Sequence, residues 1–237
     1  MPATAAAIRK EIRALANPQI AINLQRFFKT GKGEYGEGDR FLGIRVPALR
    51  KLARRHRDVR LKAVVAILKS TWHEERLFAL LALVERFRRG GDADRRAVYD
   101  AYVAHLDYVN NWDLVDASAH HICGGWLANR SRRPLYRLAR SRTLWRRRVA
   151  IVTTYHFIRD GDFDDALALC ELLLGDGEDL IHKASGWMLR EIGNRNRSLL
   201  EGFLDRHCRV MPRTMLRYAI EKLPAKSRRA YLEGHPR

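Results

Sequence analysis

Apolar side chains recur every three or four residues along almost the whole chain. Leu61, Val64, Val65, Ile67 and Leu68 mark one such face, Leu77, Leu80, Leu81, Val84 and Phe87 a second, and Leu167, Cys170, Leu173 and Leu174 a third. This is the spacing of helices that bury one stripe of their surface. No run of alternating apolar and polar residues stands out beyond the first fifty, so the chain is predicted to be all-α.

The helical pattern is itself periodic. Arg76, Trp112, Arg148, Lys183 and Arg217 each open the second helix of a pair, at intervals of 36, 36, 35 and 34 residues. One such pair cannot bury its apolar face alone. Successive pairs are therefore expected to stack into a curved solenoid of helical-hairpin repeats, with the second helices lining a concave surface. Four of the five repeat positions carry Arg or Lys, which predicts a row of cations on that surface, and Trp112 is the exception. No linker rich in Pro, Gly or Ser divides the 237 residues, so a single domain over 1–237 is expected.

Between the first helices the pattern breaks at KTGKGEYGEGD, residues 29–39, where four of eleven residues are glycine. A β-hairpin or a mobile loop is expected there. Gly31, Gly33 and Gly36 spell GxGxxG, but no strand precedes them, no βαβ unit follows, and Glu34 and Glu37 would repel a pyrophosphate, so a dinucleotide site is rejected. With Lys29, Lys32, Tyr35 and Arg40, the segment has the side chains to reach into a DNA groove.

Charge gives the partner class. Lys and Arg number 45 against 27 Asp and Glu, a formal net charge of +18, and Arg carries more of the excess than Lys. Arg forks onto phosphate oxygens and stacks on rings, so nucleic acid is the expected partner. Cys123, Cys170 and Cys208 lie far apart inside apolar helical patterns, without a CxxC, and read as reduced core thiols of a cytoplasmic protein. The N-terminus lacks a continuous apolar segment, and the longest apolar runs, such as FALLALV at 78–84, are far too short to span a bilayer. No membrane association is expected.

The candidate chemistry sits at the repeat positions. Trp112, Asp113, Asp116 and His120 fall at i, i+1, i+4 and i+8, so Trp112, Asp116 and His120 are predicted to share one helix face. Asp116, His120 and His121 lack the further ligands of a metal centre, and no metal is assigned. On HKASGWMLRE, residues 182–191, Lys183, Trp187 and either Arg190 or Glu191 are one turn apart. Gly186 removes bulk beside the indole, which allows another backbone or a ligand to approach. In a solenoid, Trp112 and Trp187 would flank a cleft with Asp116 at its floor and Arg148, beside Arg147, in the repeat between them.

FLGIRVPALRKLAR at 41–54, NNWDLVDASA at 110–119, LWRRRVAI at 144–151 and HKASGWMLRE at 182–191 resemble the AlkD-like DNA alkylation repair proteins, the HEAT-like-repeat DNA glycosylases, in the same order and over nearly the whole chain. The WDxxD and GWxLRE segments are the specific parts. The resemblance implies an all-α superhelical solenoid of HEAT-like repeats that wraps double-stranded DNA and excises cationic N3- and N7-alkylated purines. No cofactor is expected, and an open solenoid that encloses a duplex can function as a monomer. It also implies that Asp116 is the catalytic carboxylate, Trp112 and Trp187 the aromatic walls, and Arg148 and Arg190 DNA-contacting cations. Two departures are visible. The glycine-rich segment resembles the protruding hairpin of non-catalytic relatives that bind branched DNA. Phe27 or Phe28 stands where catalytic members tend to carry Tyr. The alternative function is therefore a non-catalytic protein that recognises branched or distorted DNA.

Overall fold

The computed structural model describes residues 3–235. Among the described residues the regular elements are helical, and extended pairing is confined to an isolated bridge between Arg40 and Trp72. In chain order the helices are α1 (Ala5–Arg13), α2 (Pro18–Phe27), α3 (Val46–Arg55), α4 (Leu61–Leu68), α5 (His73–Arg89), α6 (Asp92–Ala104), a 3-10 turn (Leu106–Tyr108), α7 (Trp112–Asp116), a π-helical stretch (His120–Gly124) and α8 (Gly125–Leu127). They continue with α9 (Arg133–Ala139), α10 (Leu144–Thr153), α11 (Tyr155–Arg159), α12 (Asp164–Leu172), α13 (Asp179–Gly193), α14 (Arg197–His207), α15 (Arg213–Ala219) and α16 (Ala225–Leu232). The all-α class expected from the periodicity is the one observed. No described helix is long and apolar enough to cross a membrane.

The chain divides into two compact units, Met1–Ile122 and Cys123–Arg237. In the first, α5 packs against α3, α4, α6 and α7. Its apolar face, Leu77, Phe78, Leu80, Leu81, Val84 and Phe87, is buried throughout, and each such side chain contributes about 1.5–3 kcal/mol on leaving water. In the second, α13 packs against α10, α12, α14 and α15. Gly186 makes the last of these contacts possible. A Cβ there would lie 2.5 Å from the Met215 carbonyl oxygen and 2.5 Å from the Tyr218 Cβ, so what the glycine admits is the backbone of α15. Cys123, Cys170 and Cys208 are buried free thiols.

Two expectations are corrected and one is resolved. The glycine-rich segment, expected as a β-hairpin or a loop, is a loop of turns. Its turns close on themselves through Glu34 N to Gly31 O, Glu37 N to Glu34 O and Asp39 N to Gly36 O, and Gly36 N donates back to Lys29 O at 3.1 Å. Gly36 lies so close to α2 that a Cβ would fall 2.4 Å from the Phe28 carbonyl oxygen. The amides of Gly31 and Gly33 donate to the carboxylates of Glu34 and Glu37, so the glycine motif binds its own acidic side chains.

Second, Trp112, Asp116 and His120 do not ride one regular helix. The α-helix ends at Asp116, a turn follows at 117–118, and residues 120–124 are π-helical, which shifts the phase of His120 relative to α7.

Third, the expected row of repeat cations is not a uniform surface feature, because Arg76 and Arg148 are only 4% and 5% exposed. The reason lies in the helix junctions, whose carbonyls need donors away from water. Arg76 donates to the Ser70 carbonyl and Arg147 to the Ser141 carbonyl, each six residues earlier, and His182 contacts the Asp176 carbonyl at the same offset. By this geometry the counterpart of Arg76 is Arg147, not Arg148, so the structural repeat is one residue out of step with the alignment of residue types.

Candidate functional site

In the first unit the site is built around the start of α7. Asn111, fully buried, caps the helix: its Oδ1 accepts from Trp112 N at 2.8 Å and its Nδ2 donates to Asp39 Oδ2 at 3.2 Å. Asp113 Oδ1 accepts from Leu114 N, while its Oδ2 meets His73 Nε2 at 2.8 Å. His73 Nδ1 meets Asp39 Oδ2, also at 2.8 Å, and Arg76 Nη2 meets Asp39 Oδ1 at 2.7 Å. Thus both residues flanking Trp112 are fastened to one buried network of charge.

The indole is packed by rings as well. Phe28 stacks on Trp112 at 5.1 Å between centroids and 19° between planes, and on Phe41 at 4.9 Å and 20°. His73 stacks on Phe41 and tilts against Phe28. Phe27, 63% exposed, sets its edge against Trp112 at 5.9 Å. Trp112 itself is half-buried, as is Asp116 at the end of the same short helix.

Burial alone would lower the pKa of His73. The charges and hydrogen bonds of Asp113 and Asp39 outweigh it and carry the imidazole up to about 9. Burial pushes the Asp39 carboxyl the other way, but its hydrogen bond and charge pairing with His73, and then Arg76, hold it at about 2. Next along α5, Glu74 accepts from the backbone amides of Leu42, Gly43 and Ile44, and Glu75 pairs with Arg9 and Arg13 of α1. Four consecutive charged residues, His73 to Arg76, thus bind separate segments to the N-terminus of one helix.

Immediately past Asp116, Ala117 lines a cleft of about 170 Å³ with Arg50, Ala53 and Arg54 of α3, Leu81, Val84, Glu85 and Arg88 of α5, and His121. Arg88 Nη2 lies 3.0 Å from His121 Nε2 and Nη1 lies 3.7 Å from Glu85. Three guanidiniums against one carboxylate give this cleft a net positive charge.

In the second unit, α13 presents Lys183, Trp187 and Arg190. Lys183 pairs with Asp179 at 2.8 Å and Arg190 with Glu221. Trp187 lies beside Tyr155, 5.5 Å between centroids, and donates its Nε1 to Glu191 Oε1 at 3.3 Å, while Glu191 Oε2 pairs with Arg195. Arg148 is buried in α10 and donates to the Leu180 carbonyl at 2.6 Å, tying α10 to the start of α13. Arg147 is bidentate to Asp176 and caps the carbonyls of Ser141 and Arg142. Lys29 and Lys32 are exposed on the glycine-rich turns, and the Tyr35 hydroxyl donates to the Phe27 carbonyl at 3.4 Å.

Of the residues singled out in the sequence, the first unit brings Trp112 and Asp116 together on α7, and the second gathers Arg147, Arg148, Lys183, Trp187 and Arg190 on α10 and α13. Sequence reasoning missed His73, Asp39 and Tyr155. A signal for the first existed: HEER directly precedes the eight-residue apolar run LFALLALV, and four charges leading into such a run are out of place on a solvated face.

No curated protein matches the chain. Among solved structures, a protein described as a predicted DNA alkylation repair enzyme from Enterococcus faecalis superposes with a TM-score of 0.69 at 20% identity, covering 89% of this chain and 97% of its own. At that identity it establishes a shared fold. The family described as DNA alkylation repair enzyme matches residues 8–223. That match spans both compact units and every segment just described, so the chain belongs to the DNA alkylation repair enzyme family, and its role lies in the repair of alkylated DNA.

Proposed function

We propose that the protein is a DNA glycosylase that hydrolyses the N-glycosidic bond of purines made cationic by alkylation at N3 or N7. The observation that carries this reading is Asp116: a half-buried carboxylate one turn beyond Trp112, on the same helix, in a chain whose family acts on alkylated DNA. In a strongly basic protein that grips a polyanion, a carboxylate beside the binding surface weakens binding. Its presence is explained if it faces positive charge that develops during a reaction.

The chemistry asks little of the protein as an acid. A purine alkylated on a ring nitrogen is already a cationic leaving group and departs as a neutral base when the C1′–N bond breaks. What forms is an oxocarbenium-like sugar. Asp116 stabilises that charge and orients the water that attacks C1′, and the water's second proton leaves to solvent. The face of Trp112 adds cation–π attraction to the charged base and sugar, and Trp187 on α13 is a further aromatic contact for DNA in this reading. Arg50, Arg54 and Arg88 in the cleft beyond Asp116 supply counter-charge for backbone phosphate. Arg190 and Lys183, each held by one carboxylate, and Lys29, Lys32 and Tyr35 on the turns are further DNA contacts in this reading. Arg147 and Arg148 act one step back, holding the α10–α13 junction.

Base release from methylated DNA, wild type beside Asp116→Asn, is the test. The wild type should liberate 7-methylguanine or 3-methyladenine and the variant neither, with DNA affinity equal or higher. Equal release by both proteins would remove Asp116 from the reaction. A wild type that releases no base yet prefers a four-way junction to linear duplex would instead establish the non-catalytic binding reading.

A further inference from the structure

His73 lies between two carboxylates with both ring nitrogens at 2.8 Å from an aspartate oxygen. A neutral imidazole has one donor and one lone pair, and a lone pair held 2.8 Å from a carboxylate oxygen is repulsive. Both nitrogens must therefore donate, so the ring is an imidazolium. It is almost wholly buried, and so is Asp39. The groups facing it are Asp39 from the end of the glycine-rich turns, Asp113 from α7, and Arg76 and Glu74 from α5. Arg76 is engaged with Asp39, and Glu74 with the amides of residues 42–44. The remaining neighbours on its ring faces are Phe28 and Phe41.

Three of the contacts of His73 and its two carboxylates lead to Trp112. The preceding residue, Asn111, bonds to Asp39, and the following residue, Asp113, bonds to His73. Phe28, the ring on which the indole stacks, rests against His73 and Phe41. Here the residues on both sides of a single tryptophan and the ring beneath it are tied to His73 and to the two carboxylates that its N–H groups bind.

We propose that His73 is a positioning residue for Trp112: its imidazolium, shared between Asp39 and Asp113, sets the indole of the candidate site and links it to the glycine-rich turns that end at Asp39. The consequence for base release rests on the reading of Trp112 as an aromatic wall, whereas the positioning itself does not. Consistent with the geometry, His73 stays charged well into the alkaline range. Neutral pH thus leaves the clamp closed, and deprotonation opens it.

The test uses the full chain and two independent readouts. The Trp112 component of the near-UV circular dichroism, assigned by difference against Trp112→Phe, reports the clamp. Single-turnover base release and DNA affinity report the site. In the wild type the Trp112 signal should be constant near neutrality and vanish with a midpoint near pH 9. In Asp113→Asn, which keeps an oxygen acceptor but removes the charge, that midpoint should fall by at least one unit. Base release should drop at least tenfold, with DNA affinity changed less than twofold. His73→Gln should remove the titration altogether. Asp113→Asn and the wild-type titration decide the matter even if the His73 variant does not fold. A Trp112 signal that ignores both pH and Asp113→Asn overturns the proposal, as does loss of base release with that signal unchanged. A wild type that releases no base while its Trp112 signal follows His73 sustains the positioning and defeats only the glycosylase reading.

Discussion

Replacing His73 by Gln should change the way stability depends on pH, and the size of the change follows from the buried cluster. In the folded protein the imidazole titrates at about 9 against 6.5 for the free side chain. At about 1.4 kcal/mol per unit, that difference corresponds to ~3 kcal/mol of folding stability. Seen from Asp39, whose carboxyl falls from 3.8 to about 2, the same interaction corresponds to ~2 kcal/mol. The two figures describe one interaction and are not added.

The sign is fixed by linkage. A folded-state pKa raised above the unfolded one gives stability that is complete below 6.5 and is lost as pH rises through 9. For Asp39 the order is reversed: its contribution is complete above 3.8 and is lost as pH falls through 2. Urea unfolding between about pH 6 and pH 9 should therefore show the wild type losing up to ~1.4 kcal/mol per pH unit from this site. His73→Gln should be less stable near pH 6 by ~3 kcal/mol, because it removes the charge that Asp39 and Asp113 share, and most of that gap should close by pH 9. Parallel falls in wild type and variant across that range would show that His73 binds no more protons folded than unfolded, and would refute the reasoning.

Gly186→Ala should lower stability by about 1–3 kcal/mol in thermal unfolding, since its Cβ would meet the backbone of α15 at 2.5 Å. Replacing Arg50, Arg54 and Arg88 together by Gln should weaken DNA binding and make its logarithm less steep in log salt by about 0.9 for each phosphate that is no longer neutralised; an unchanged slope would clear the cleft of any phosphate role. Burial pushes the Cys123 thiol up to about 12 and raises Cys170 as well, so neither should react with a disulfide reagent at neutral pH until the protein unfolds. Glu74→Gln removes a charge-assisted acceptor from three backbone amides and should cost roughly 1.5–3 kcal/mol by the same urea assay.

Helix after helix was legible in the apolar spacing because that signal is local, and burial follows it closely along α5 and α13. Trp112 and Asp116 were legible because WDxxD places them one turn apart whatever surrounds them. The repeat register was legible only to within one residue. Residues 146–148 are three successive arginines, so residue type cannot say which one reaches the junction carbonyls, and the structure assigns that work to Arg147. Pairings across long sequence distances were not legible at all. Asp39 looks like the last polar residue of a glycine-rich loop until it is placed under His73 and Arg76, thirty-four and thirty-seven residues away. Phe28 looks like one of two adjacent aromatics until it is stacked on a tryptophan far along the chain.

Those buried pairings also change what the net charge means. A formal +18 fixes the sign of the distant field but not where the field acts. Arg76 is neutralised by Asp39, Arg147 by Asp176, Arg132 by Asp162 and Asp165, and Arg190 is held by Glu221. Each such pair cancels at the range over which a phosphate is attracted, so these cations hold elements in place more than they draw in a polyanion. Around Arg50, Arg54 and Arg88 the balance differs, because three guanidiniums share a single nearby carboxylate in a concave site. Concavity and low-dielectric walls focus what charge remains. The basic composition therefore serves two ends in this chain: most of the paired arginines specify the junctions of the repeat, and a small unbalanced group in the cleft lined by Ala117 and His121 concentrates the positive field.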